Sequence, residues 1–141
     1  MHVSCTSDNT VSTAKPCASR LCGLFRGDYL GPFRWTPEAN LFGWTSLLGG
    51  LPGGTDVSPY AAAARAENVE GLPPTFIACG ALDLFLLENM DYARRLILAG
   101  VPTELHIYPG APHGFHLIES AQVTRAYVQD SISALKRAVG S

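Results

Sequence analysis

Two residues in the second half of the chain carry the side chains of acid–base chemistry, in the order acid then base. Asp83 stands in Gly80-Ala81-Leu82-Asp83-Leu84-Phe85, and His113 in Pro109-Gly110-Ala111-Pro112-His113-Gly114-Phe115-His116. A carboxylate that holds one imidazole nitrogen fixes the tautomer and stabilises the imidazolium, leaving the other nitrogen as a general base. Taken singly, neither residue demands that role. An Asp after a strand often serves a turn or caps a helix, and a His in a Gly/Pro loop is often only a loop residue. The pairing is what points to chemistry. His116 and His106 read as a loop residue and a sheet-face residue, and Ser58 as a turn residue. A metal site built from Asp83, His113 and His116 is the weaker alternative, so no metal and no cofactor are expected.

The elements that must position this pair follow from the hydrophobic pattern. Thr75-Phe76-Ile77-Ala78-Cys79 is a short, uniformly apolar run closed by Gly80, as in a parallel strand buried on both faces. Leu86 to Ala99 reads as an amphipathic helix with Leu86, Met90, Ala93 and Ile97 inside, stopped by Gly100 and Pro102. Thr103 to Tyr108 is a second strand whose Glu104, His106 and Tyr108 make one face more polar, which suggests a strand near a sheet edge. A last helix runs from about Ser120 to Ala138, with Ala121, Thr124, Val128, Ile132, Leu135 and Val139 as its inner stripe. The order β-α-β-α with a helical crossover implies parallel strands joined right-handedly. Ligands of such sheets gather beyond the carboxyl ends of the strands, where both Asp83 and His113 fall.

Upstream, Thr36-Pro37-Glu38 opens a helix with a hydroxyl cap, a proline at the first position and an acid at the positive dipole end; Gly49-Gly50 closes it. Leu51 to Tyr60 is a turn-rich loop, and Ala61 to Ala66 reads as one or two helical turns. Residues 1–30 are rich in Ser, Thr and Cys with no period, and read as an irregular or disordered segment. The domain is therefore placed at 31–141. Two strands make a poor sheet, and no clear strand precedes the first. That points to a missing part.

Several separated words of this sequence resemble the C-terminal portion of the hormone-sensitive-lipase-like esterase/lipase branch of the α/β-hydrolases. They are Trp35-Thr36-Pro37-Glu38, Asp56-Val57-Ser58-Pro59-Tyr60-Ala61-Ala62 and Gly71-Leu72-Pro73-Pro74-Thr75-Phe76-Ile77, then the Asp83 and His113 loops with Ala99-Gly100-Val101-Pro102 between them. The resemblance implies a partial α/β-hydrolase fold, with Asp83 the acid and His113 the base of a catalytic triad. It also implies hydrolysis of short-chain carboxylic esters through an acyl-enzyme. Two departures stand out. Neither the Gly-x-Ser-x-Gly nucleophile elbow nor a His-Gly-Gly oxyanion-hole motif occurs in the sequence, and Leu86-Leu87-Glu88 replaces the Arg-Asp-Glu-like residues that usually follow the acid loop.

Composition narrows the classes further. Only 16% of the 141 residues are charged and the formal net charge is −2, so nothing attracts a polyanion or an anionic membrane. No apolar run reaches the roughly 20 residues of a membrane span, and the first ten residues lack a signal-peptide pattern. A soluble, cytoplasmic protein is expected. Cys5, Cys17 and Cys22 show no zinc-ligand spacing, and Cys79 reads as a buried strand residue. Three functions follow. The chain is half of an esterase site acting on a small ester with a missing N-terminal half. Alternatively it is a non-catalytic remnant that binds or self-associates through an exposed sheet edge. The third is a hydrolase of a neighbouring branch, dienelactone-hydrolase-like or prolyl-oligopeptidase-like, which the Trp-Thr-Pro-Glu and Ser-Pro-Tyr-Ala words disfavour.

Overall fold

The computed structural model describes residues 35–50, 52–53 and 57–140. The segment 1–30 read as irregular, with its three cysteines, lies outside the described residues.

Helix α1 covers Pro37–Leu48 and begins as its residues dictate. Thr36 Oγ1 accepts the Ala39 N–H at 3.2 Å, and Gly49, at φ 69°, ends the helix with its N–H on the Thr45 carbonyl. The Glu38 carboxyl is held below the ordinary range, chiefly by its own backbone N–H and then by the Thr36 hydroxyl. Strand β1 (Thr75–Gly80), helix α2 (Leu86–Leu98) and strand β2 (Thr103–Tyr108) form one β-α-β unit, followed by helix α3 (Gln122–Val139). The alanine run yields a single 3-10 turn, Ala63–Arg65. It is tied to α2 by Arg95, whose guanidinium donates to the carbonyls of Ala64 and Ala66.

The two strands are parallel and flush. Thr75 lies opposite Thr103 and Gly80 opposite Tyr108, so both strands end at one level and their exit loops leave side by side. A parallel pair needs a crossover rather than a hairpin, and α2 supplies it. One core lies between the sheet and α2, where Ile77, Tyr92, Ala93 and Leu96 pack with Val69 and Val101. The other lies beneath α3, where Tyr108, Ala111 and Phe115 gather against Val123 and Tyr127.

Both long helices turn a different face inward than the apolar ladder suggests. In α2 the buried residues are Asn89, Tyr92, Ala93 and Leu96, while Met90 and Ile97 are 42% and 58% exposed. The sheet selects the Tyr92–Leu96 ridge because it meets Ile77 and Leu105. In α3 the inner face runs through Thr124 and Tyr127, and Val128, Ile132, Leu135 and Val139 are exposed. The polar face of β2 explains that choice. It lies under α3, where His106 reaches Glu104 at 2.7 Å and Asp130 at 3.3 Å. Tyr108 donates its hydroxyl to Asp130 Oδ2 at 2.8 Å, and Arg137 pairs with Glu104. Polar residues on a strand here serve a polar seam with a helix.

Among the described residues no helix is long and apolar enough to cross a membrane.

Candidate active site

The two exit loops are stitched together before either side chain is placed. The Ala81 N–H donates to the Tyr108 carbonyl at 2.9 Å and the Leu82 N–H to the Ala111 carbonyl at 3.0 Å. After β1 the chain turns tightly, with the Asp83 N–H on the Gly80 carbonyl at 3.1 Å. After β2 it turns through Pro109-Gly110, with Gly110 at φ 70° and the Ala111 N–H returning to the Tyr108 carbonyl. Proline at the second position and a left-handed glycine at the third suit this turn. A second turn follows at once. The Phe115 N–H donates to the Pro112 carbonyl and Gly114 takes φ 70°, so His113 sits at a corner. Phe115 anchors that corner: it is buried against Tyr108 and Tyr127, and its carbonyl accepts the Thr124 hydroxyl at 3.0 Å.

Thirty residues apart in sequence, Asp83 and His113 meet. Asp83 Oδ2 lies 3.0 Å from His113 Nδ1, and Asp83 Oδ1 accepts the Phe85 N–H at 2.9 Å. Both carboxylate oxygens therefore have partners, and the side chain is only 10% exposed. Because a carboxylate only accepts, Nδ1 carries the shared proton and Nε2 keeps its lone pair. The imidazole, 24% exposed, is further held by rings. Phe85 meets it edge-on at 5.6 Å between centroids, and Trp35 lies across it at 5.8 Å. Trp35 is placed by the start of α1, donating Nε1–H to Oδ1 of the buried Asn40 at 3.2 Å.

Nearby groups feel the same burial. Glu88, in the first turn of α2, has its carboxyl pushed up mainly by burial, with the Asp83 charge adding to it. The Cys79 thiol is pushed up to about 11, again by burial first and Asp83 second. His116 and His106 stand away from this pair, in the 3-10 turn Phe115–Leu117 and in the seam under α3. Ser58 Oγ accepts the Tyr60 N–H at 3.2 Å, the geometry of a turn. Among the described residues no three His, Cys, Asp or Glu converge in a way that could hold a metal ion. Trp35, Asn40 and Phe85 were not singled out from the sequence as site residues. Trp35 and Phe85 stood in the family-like words, which was the available signal; the buried Asn40 carried none.

Comparison with known proteins supplies the lineage. The alpha/beta hydrolase fold family matches residues 26–117. Over 54 residues the chain is 39% identical to esterase LipI of Mycobacterium tuberculosis, a stretch that is 38% of this chain and 17% of that protein. A bacterial heroin esterase superposes with a TM-score of 0.60 at 40% identity, over 63% of this chain and 28% of its own. A hormone-sensitive lipase from a metagenome library gives a TM-score of 0.53 at 27% identity, over 70% and 34% respectively. The chain thus spans about a third or less of the length of these relatives. With the matched profile covering the acid and histidine loops together, the chain belongs to the alpha/beta-hydrolase fold family, as part of a hormone-sensitive-lipase-like esterase/lipase.

Proposed function

We propose that this chain supplies the acid and the base of a carboxylic-ester-hydrolysing site. The observation that carries the reading is the 3.0 Å contact of His113 Nδ1 with the buried Asp83 at the flush ends of two parallel strands. In the assembled site a serine Oγ attacks the ester carbonyl carbon while His113 Nε2 takes its proton. The tetrahedral oxyanion rests on backbone N–H groups, and His113 then delivers the proton to the departing alkoxide. Water repeats the sequence on the acyl-enzyme, releasing the acid. Asp83 keeps Nδ1 protonated throughout and steadies the imidazolium. The sequence holds no Gly-x-Ser-x-Gly, so we assign the serine and the oxyanion donors to a polypeptide carrying the portion of the fold its relatives possess beyond this match.

The test is hydrolysis of a short-chain nitrophenyl ester by this chain, alone and mixed with an elbow-bearing N-terminal portion of a bacterial esterase of the same branch. Saturable turnover in the mixture, lost in His113→Ala, supports the reading. Turnover indifferent to His113 in both samples sinks it.

A second reading has its own observation. Among the described residues β1 is paired on one side only, and Leu117, Leu135 and Val139 are each more than 60% exposed. A binding or self-associating module would use these surfaces. Sedimentation showing a mass that rises with concentration supports that module; a monomer at every concentration argues against it.

A further inference from the structure

A cleft of about 270 Å³ opens beside His113. Its walls are Trp35, Gly43, Trp44 and Leu47 from α1 and its approach, Phe85 from the acid loop, and His113 itself. The α1 residues fall at helical spacing, three and four apart, so one face of that helix is turned to the histidine. Asn40 also borders the cleft, but its carbonyl oxygen is engaged by Trp35 Nε1. Among the described residues no Asp, Glu, Lys or Arg side chain lines it. Leu47 remains 63% exposed at this border, an apolar side chain with open space in front of it.

The size is informative. A dry apolar cavity of about 150 Å³ takes benzene, and pockets for drug-sized ligands start near 300 Å³. The cleft therefore fits one ring with a short substituent, or a branched chain of that bulk. A charged group would be desolvated there without a counter-ion. Among the described residues Gly43 is the one wall residue with no side chain. A Cβ added there would lie 3.7 Å from Trp35 Cζ2, an ordinary contact, so alanine fits and anything longer grows into the cleft.

We propose that this cleft receives one compact, uncharged, apolar group of the ester, and that Gly43 sets how large that group can be. The proposal rests on the reading of Asp83 and His113 as an ester-hydrolysing pair, and it names the substrate class of that site. The group comes from either the alkoxy or the acyl side of the ester.

The experiment is an NMR titration of the ¹⁵N-labelled chain, following the indole N–H signals of Trp35 and Trp44 and the His113 ring. Benzyl alcohol probes the alkoxy side and benzamide a neutral acyl side. Saturable shifts of these signals with either probe support the proposal and assign the side. In Gly43→Leu the affinity falls at least about tenfold, while Gly43→Ala stays near wild type. Absence of saturable shifts with both probes overturns the proposal. So does undiminished affinity in a Gly43→Leu chain whose amide spectrum keeps the wild-type dispersion. Binding is read here without turnover, so a failed cleft and a failed acid–base pair give different results.

Discussion

A methyl group placed on the α-carbon of Gly80 would stand 2.1 Å from the carbonyl oxygen of Ala111 and 2.7 Å from its carbon. The end of β1 and the loop that carries His113 are therefore in backbone contact, and that contact, with the Leu82 N–H bonded to the same carbonyl, sets the distance between the Asp83 and His113 loops. Backbone cannot swing aside as a side chain can. Gly80→Ala is expected to push the loops apart and to cost at least about 1–3 kcal/mol, as overpacking of a tight interior does. The check has two parts: a lower urea midpoint, and loss of the shared-proton signal of His113 Nδ1. An unchanged midpoint with an unchanged His113 signal would refute the close approach.

Cys79 offers a probe of the same region from beneath. Its side chain is buried on β1, and burial with the nearby Asp83 charge pushes the thiol up to about 11. At pH 8 only roughly one molecule in a thousand carries the reactive thiolate. Brief iodoacetamide treatment, followed by peptide mapping, should leave Cys79 unlabelled in the folded chain and labelled in urea. Equal labelling in both conditions would mean that the β1–α2 core is open in solution.

Much of the fold was legible because local chemistry and global structure agree. Thr36-Pro37-Glu38 opened a helix, Pro109-Gly110 made a turn, and the apolar Thr75–Cys79 run became a strand with its parallel partner at Thr103–Tyr108. The meeting of Asp83 with His113 was legible too, since both loops leave the same edge. The inner faces of α2 and α3 were not. Periodicity reports an apolar stripe, and Met90, Ile97, Val128 and Ile132 satisfy it as well as the residues the sheet selects. Asn89 and Thr124 are buried though polar, for reasons that exist only in three dimensions; Thr124, for one, donates its hydroxyl to the Phe115 carbonyl. That Trp35 lies across the His113 ring was not legible either, because Trp35 stands far upstream in the chain, just before α1.

Glu88 makes stability depend on pH with a defined sign. Burial, and to a lesser degree Asp83, raises its folded-state value above the 4.5 of an unperturbed glutamate. Between that value and the raised one the folded chain binds more protons than the unfolded chain. Stability is therefore fullest below about 4.5, falls as pH rises through the window, and levels off above it. Glu88→Gln removes this dependence. Urea midpoints from pH 4 to pH 7 should show the variant gaining on wild type as pH rises, with the two converging at the acid end. A difference that is constant across the range would show that Glu88 titrates alike in both states.

Asp83→Asn separates the orientation of His113 from its chemistry. An asparagine oxygen can still accept the Phe85 N–H that now binds Asp83 Oδ1 at 2.9 Å, so the turn should survive. Its amide group then faces His113 Nδ1 as a donor, and Nδ1 must become the acceptor. The proton moves to Nε2, the nitrogen that has to receive the serine proton. In the assembled ester-hydrolysing site this should lower turnover by about four orders of magnitude, as loss of the correct tautomer does. The ¹⁵N shifts of the imidazole give the independent reading on the chain alone: wild type should show a protonated Nδ1, and the variant a protonated Nε2. If the tautomer switches and turnover in the mixture is unaffected, His113 is not the base. If the tautomer does not switch, the 3.0 Å contact to Asp83 is not what holds the ring.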